Sequence, residues 1–163
     1  LGNLFMDFGV LKYSRVYDNE RKNFKSFNDF YLSPIICYES VYGEYVTEYT
    51  RSGSKLFAII TNDGWWDVSE GHKQHLSYAK LRAIENRRNI VRSANTGVSA
   101  IINYRGEIED SIEYGEEGFI NTNVGFIEEK TFYVNYGDYI FRISLFFFII
   151  IGLHFLATII KIK

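Results

Sequence analysis

From Ile143 to Ile160 the chain reads "ISLFFFIIIGLHFLATII", 18 consecutive residues without a formal charge, bracketed by Arg142 on one side and by Lys161 and Lys163 on the other. A helix of that length spans about 27 Å, close to the hydrocarbon thickness of a bilayer. A buried helix of a soluble domain is the competing reading. It fits poorly, because this segment is apolar on every side and Phe-rich and ends in a basic tail, whereas a globular helix keeps a polar stripe. Residues 139–163 are therefore expected to form a transmembrane helix with a short basic tail. His154, in mid-span, is expected to face a protein neighbour. The two lysines after the helix favour a cytoplasmic C-terminus, with everything before Arg142 on the outer side; Arg142 on the opposite flank weighs against that orientation.

Residues 1–138 then form the part that folds outside the hydrocarbon. The whole chain has one Pro and 18% aromatic residues, a composition that can bury a real core. A net charge of -2 gives no reason to expect nucleic acid, whose binders carry a concentrated positive face. A single cysteine excludes an internal disulfide. The start at Leu1 has no basic n-region and no cleavage site, so it is not a signal peptide; it reads as the continuation of something longer.

Along the chain, residues 1–30 are irregular, with the charged stretch "YDNERKNFKSFNDF", and are expected to be loop plus an edge strand. "YLSPIIC" reads as a short buried strand bounded by the proline. From Ser40 to Arg51, Val41, Tyr45, Val46 and Tyr49 fall on one helical face, and "SGS" stops the helix. "KLFAIIT" is a continuous apolar run of strand length, the pattern of a strand covered on both faces. "NDGWWDVSEG" is a loop. His72 to Asn89 predicts a long helix with Leu76, Ala79, Ala83 and Ile84 inward. "IVRSANTGVSAIIN" reads as two strands broken at Asn95-Thr96-Gly97, and "YRGEI" as a tight turn into another strand. Strand, helix, strand, helix, strand is α/β order with a buried parallel centre.

The chemistry centres on Cys37. A nucleophilic cysteine needs a thiolate, an exposed sulfur and donors for a developing oxyanion. A cysteine that ends a strand and opens a helix gains two of these from the helix start, as serine does in a nucleophile elbow. The alternative is a packed core thiol, since free cysteine is among the most buried residue types. Glu39 serves as a base or orients the thiol on the first reading, and is a first-turn helix acid on the second. His72 and His75 could chelate, but polar residues at a helix start account for them, and there is no second cysteine to complete a metal site. A Ser-His-Asp triad is conceivable with Ser40 or Ser93, although nothing in the spacing selects it. Trp65 and Trp66 follow a strand end, where open α/β sheets bind ligands, and their area suits an acyl chain or a membrane surface.

"PIICYES", "IITNDGWW", "HKQHLSYAKLRAIENRRNIVRSANTGVSAIIN" and "RGEI", in that order and spacing, resemble the second half of the nitrilase (carbon-nitrogen hydrolase) superfamily. The resemblance runs from about Pro34 to Glu107. It is strongest to the membrane branch, the apolipoprotein N-acyltransferases, which a single C-terminal hydrophobic helix also matches. It implies the second half of an α-β-β-α sandwich over residues 1–138 and a Glu-Lys-Cys triad, with no cofactor or metal. On that pattern Cys37 is the acylated nucleophile and Glu39 a functional neighbour. Tyr38 supplies a backbone oxyanion donor, and Trp65 and Trp66 bind substrate. Cys37 would take an acyl chain from a phospholipid as a thioester and pass it to the amine of a diacylated lipoprotein cysteine. The setting implied is the bacterial inner membrane, with this domain facing the periplasm.

Two departures from the pattern stand out. Asp67 follows the tryptophans where many members have Gly. The triad's glutamate and lysine lie upstream in the family, yet only 36 residues precede Cys37 here, and neither Lys12, Lys22 nor Lys25 has the expected context. The chain alone is therefore expected to be inactive, with the missing half as a candidate partner chain. A membrane-tethered amidase-type hydrolase and a non-catalytic anchored module are the alternatives.

Overall fold

The computed structural model describes residues 6–8, 11–13, 161 and 162 by their backbone, and 20–67 and 69–160 with their side chains. Much of the expected irregular N-terminal stretch, the Lys12 side chain and Lys163 of the basic tail lie outside the described residues. Strands β1 (Met6–Phe8) and β2 (Leu11–Tyr13) pair as an antiparallel hairpin. The expected edge strand is β3 (Phe24–Lys25), antiparallel to β4 (Tyr31–Ile36).

A six-stranded sheet runs β3-β4-β5-β6-β7-β8. Its centre is parallel, formed by β4, β5 (Ser54–Thr61) and β6 (Asn89–Ala94). The strands β7 (Ser99–Ile102) and β8 (Ile108–Ile112) continue it antiparallel, across the two turns read from Asn95-Thr96-Gly97 and "YRGEI". Parallel neighbours need a crossover, and helices α1 (Gly43–Arg51) and α2 (Gly71–Asn86) supply them. Alternate residues along each strand point to one face. Ile35, Phe57, Ile59, Ile90, Ala100 and Ile102 therefore meet Val46 and Tyr49 of α1 and Ala79 and Ala83 of α2 in one core.

Three expectations need correction. First, the Lys55–Thr61 run is fully covered on one face only: on the other, Leu56 and Ala58 are half-buried, Ile60 is 54% exposed and its register partner Ile36 is 51% exposed. Among the described residues, the segment that reaches this side lies over the β7–β8 end, where Gly118 sits against Ile112 and Ile101 is buried. Second, Ile84 of α2 is 49% exposed. The face of α2 turned to the sheet carries His72, His75, Ala79, Arg82, Ala83 and Asn86, so hydrogen bonding rather than apolar spacing selects it. Third, the helix expected from Ser40 is two pieces. A 3-10 turn covers Cys37–Val41, Tyr42 is extended, and α1 starts at Gly43.

Beyond β8 the chain returns along the strand starts. Buried Arg88 anchors it, donating from Nε to the Ser54 carbonyl (2.7 Å) and from Nη1 to the Glu129 carbonyl (2.8 Å). A short helix α3 (Phe132–Tyr136), capped by Thr131, leads into α4 (Tyr139–Ile162). Glu44 at the start of α1 fixes where α4 departs. Its Oε1 accepts from the Asp138 N–H and pairs with Arg142, both at 2.8 Å. Within α4, Tyr139–Ile160 is long and apolar enough to cross a membrane, and none of that window is buried against the rest of the chain. His154 is exposed; the protein neighbour expected for it is not found among the described residues.

Candidate active site

Strand β4 delivers Cys37 to a sharp turn. Cys37 has φ +50°, a left-handed conformation that costs a residue with a Cβ about 1 kcal/mol or more. The turn is held from both sides. The Glu39 carboxylate accepts the Ile36 N–H through Oε2 (2.7 Å) and the Tyr45 hydroxyl through Oε1 (2.8 Å). The Ser40 hydroxyl lies 2.9 Å from the Cys37 carbonyl oxygen. The thiol is free and half-buried, so it is neither a sealed core group nor fully solvated. Tyr38 follows in the first turn, where N–H groups have no partner within the helix.

The tryptophan loop lies beside this turn. Asn62 ends β5 and accepts the Gly64 N–H (3.1 Å), opening a 3-10 turn over Asp63–Trp66. The Trp66 ring lies 5.1 Å from that of His75 and 6.4 Å from that of Tyr38, which stacks on His75 at 6.0 Å. Tyr38, Trp66, Gly71, Gln74, His75 and Tyr78 line a shallow pocket there. Trp65 is 81% exposed. Of the residues singled out in the sequence, Cys37, Tyr38, Glu39 and Trp66 thus cluster, and Trp65 is not among the residues that line the pocket.

Asp67 closes the loop with φ 48° and ψ -144°, a region open to glycine and strained for other residues. The backbone here asks for glycine, the residue that the sequence resemblance leads one to expect after the tryptophans. Asp67→Gly is expected to stabilise the chain by about 1 kcal/mol, read as a rise in the thermal unfolding midpoint in detergent.

Beneath Cys37 lies a buried polar cluster that sequence reading did not single out as a unit. Asp63, Arg92 and His75 are all 2% exposed or less. Asp63 Oδ2 accepts from Arg92 Nη2 (2.5 Å), while its Oδ1 meets His75 Nδ1 and the Thr61 hydroxyl at 2.9 Å each. Burial raises the Asp63 pKa, but the bonds from His75, Arg92 and Thr61 outweigh it and bring the value to about 2, so the carboxylate is ionised. Arg92 also donates to the Val98 carbonyl. His75 Nε2 lies 2.9 Å from Ser40 Oγ and 3.2 Å from the Cys37 carbonyl oxygen. Thr61 Oγ1 stands 3.4 Å from Cys37 Sγ.

Ser40, His75 and Asp63 are thus bonded in the order of a Ser-His-Asp triad. All three are buried, and the Ser40 hydroxyl is spent on His75 and the Cys37 carbonyl, so the chain of bonds supports the cysteine turn rather than offering a second nucleophile. The signal for it was available. In "NIVRSA" Arg92 shares the inward face with Ile90, and a charge placed inward on a strand requires a buried partner. Gly97 completes the enclosure, since a Cβ there would overlap the Asp63 side chain. Among the described residues, no group of three or more His, Cys, Asp or Glu side chains could hold a metal ion.

The sequence profile of the carbon-nitrogen hydrolase family matches residues 15–125. The chain belongs to that family. Among curated relatives, an apolipoprotein N-acyltransferase of Geobacter metallireducens is 40% identical over 104 residues, covering 64% of this chain and 20% of the relative. One from Thermotoga maritima is 32% identical over 146 residues, covering 84% of this chain and 28% of the relative. The chain therefore spans less than a third of these relatives' length. Among solved structures, a carbon-nitrogen hydrolase from Helicobacter pylori superposes with a TM-score of 0.54 at 14% identity, over 62% of this chain and 42% of that one. An amidase from Nesterenkonia sp. gives 0.52 at 19% identity, over 63% and 40%. The mixed α/β, nitrilase-like fold expected from the sequence is thus the fold found.

Proposed function

We propose that this chain is the C-terminal part of an apolipoprotein N-acyltransferase, in which Cys37 takes an acyl chain from a phospholipid as a thioester and passes it to the N-terminal amine of a diacylated lipoprotein cysteine. The observation that carries this reading is Cys37 itself, half-buried on a strained strand-to-helix turn and bonded into a charged cluster below. Tyr38 would donate its backbone N–H to the oxyanion of the tetrahedral intermediate. Glu39, with both carboxylate oxygens committed to Ile36 and Tyr45, would hold the turn. Trp66 would line the acyl path beside Tyr38, and exposed Trp65 would meet the substrate or the membrane surface.

Residues 1–138 are read as part of a carbon-nitrogen hydrolase domain and residues 139–163 as its membrane helix and basic tail. The protein would sit in the bacterial inner membrane with the domain on the periplasmic side. The triad's glutamate and lysine would come from protein beyond these residues, so the 163-residue chain alone is expected to transfer no acyl group. The open face around Ile36 and Ile60 favours the related reading that the rest of the sandwich covers it, in the same polypeptide or as a separate partner chain.

The test is transfer of a labelled acyl chain from phospholipid vesicles to a diacylated lipopeptide by the longer protein that carries this sequence. Transfer supports the reading. Hydrolysis of small amides with no use of the phospholipid would identify a membrane-tethered amidase instead.

A further inference from the structure

The Thr61 hydroxyl stands between two acceptors. It lies 3.4 Å from Cys37 Sγ and 2.9 Å from Asp63 Oδ1, and its residue is 6% exposed. A hydroxyl has one hydrogen to donate. While Cys37 is a thiol, the ionised Asp63 carboxylate takes that hydrogen, and the S–H can donate to the lone pair of Thr61 Oγ1. Once the thiol has lost its proton to water, the sulfur carries a full charge and competes for that hydrogen, while Asp63 already has other donors. Asp63 Oδ1 can release the hydroxyl without being left unpaired, because His75 Nδ1–H donates to the same oxygen and Arg92 to Oδ2.

We propose that Thr61 is a catalytic residue that turns its hydroxyl from Asp63 to Cys37 Sγ when the thiolate forms, and so stabilises the nucleophile. Asp63 takes no proton in this step; it is the place where the Thr61 hydrogen rests. The titratable and charged groups around the cysteine turn are the Asp63–Arg92 pair, bonded to Thr61 and His75, His75 of α2 against the Cys37 carbonyl, and Tyr38 and Glu39 of the turn itself. Glu39 is committed elsewhere and Arg92 is paired, so among the described residues Thr61 is the neutral donor at the sulfur. The inference rests on reading Cys37 as the nucleophile, but its test needs no lipid and no transfer reaction.

Cys37 is the sole cysteine, so alkylation by iodoacetamide reports on it alone. The rate constant is followed against pH for the detergent-solubilised chain, for Thr61→Val and for Thr61→Ser. Thr61→Val is expected to react about tenfold more slowly at neutral pH, the size of effect that one hydrogen bond to a charged group gives, and to reach the unmodified chain's rate at high pH. Thr61→Ser restores the original curve. Coincident curves for Thr61→Val and the unmodified chain would overturn the proposal, as would a loss by the same factor at every pH, which marks packing alone. Should Thr61→Val not fold, the infrared S–H band of the unmodified chain decides. A band at the frequency of a bonded thiol supports the proposal, and one at the frequency of a free thiol overturns it. Loss of acyl transfer in the longer protein with the Thr61 effect intact would sink the proposed function and leave this inference standing.

Discussion

Cys37→Ser in the longer protein is expected to lower acyl transfer by at least about a thousandfold, the scale on which losing a covalent nucleophile acts. Serine keeps the shape and nearly the volume of cysteine, and the residue is half-buried at a turn whose bonds run through its backbone, Ser40 and Glu39 rather than through sulfur. Stability should therefore change by less than about 0.5 kcal/mol. What changes is the nucleophile, because a hydroxyl gives up its proton far less readily than a thiol and the lone hydroxyl of Thr61 cannot make up the difference. Transfer and the unfolding midpoint are measured on the same preparation. Lost transfer with the midpoint retained is the expected pair, and full transfer by the serine variant would exclude Cys37 as the acyl carrier.

The second large effect is on stability. Asp63→Ala leaves the Arg92 guanidinium buried without its carboxylate, with Nε already lacking a partner among the described residues, and strips His75 of its Nδ1 acceptor. Breaking one side of a buried ion pair costs about 3–5 kcal/mol, against a total stability of roughly 5–15 kcal/mol for a folded domain. The variant is expected to accumulate poorly and to lose most of its unfolding midpoint. Replacing both members, Asp63→Leu with Arg92→Met, should cost less than Asp63→Ala alone, since no charge is then stranded. The same group sets an acid limit. Its folded pKa of about 2 lies below the ordinary 3.8, so its contribution is fully present above about pH 4 and is lost as pH falls towards 2. That contribution is roughly 2 kcal/mol. The unmodified chain should lose that stability between about pH 4 and pH 2, and Asp63→Asn should show a flatter acid limb.

Much of this arrangement is legible in the residues. The run "YLSPIIC", the break at Asn95-Thr96-Gly97 and the turn at "YRGEI" carry local chemistry that only one backbone satisfies, and each falls where expected. The elbow at Cys37 is legible too, because a strand pattern ends there and a helical one begins. Apolar spacing misleads where polar groups decide. The sheet-facing side of α2 is chosen by His75 and Asn86, whose partners Asp63 and Thr50 lie 12 and 36 residues away, and no local pattern reports bonds of that range. The open face around Ile36 and Ile60 is the reverse case. The residues do carry the two-sided pattern of a covered strand, but what would cover them is not among the described residues. Asp67 teaches a smaller lesson, since its positive φ shows a backbone suited to glycine that composition alone does not reveal.

The central claim is that Cys37 carries an acyl group, and mass spectrometry of the protein isolated from its own membranes tests it most directly. Trypsin cleavage after Lys25 and Arg51 releases "SFNDFYLSPIICYESVYGEYVTEYTR", which contains the sole cysteine. Trapped before the acceptor is added, this peptide is expected to carry the mass of a fatty acyl chain, removed by hydroxylamine and by incubation with a diacylated lipopeptide. A peptide that stays unmodified while the same preparation transfers acyl chains would contradict a Cys37 thioester.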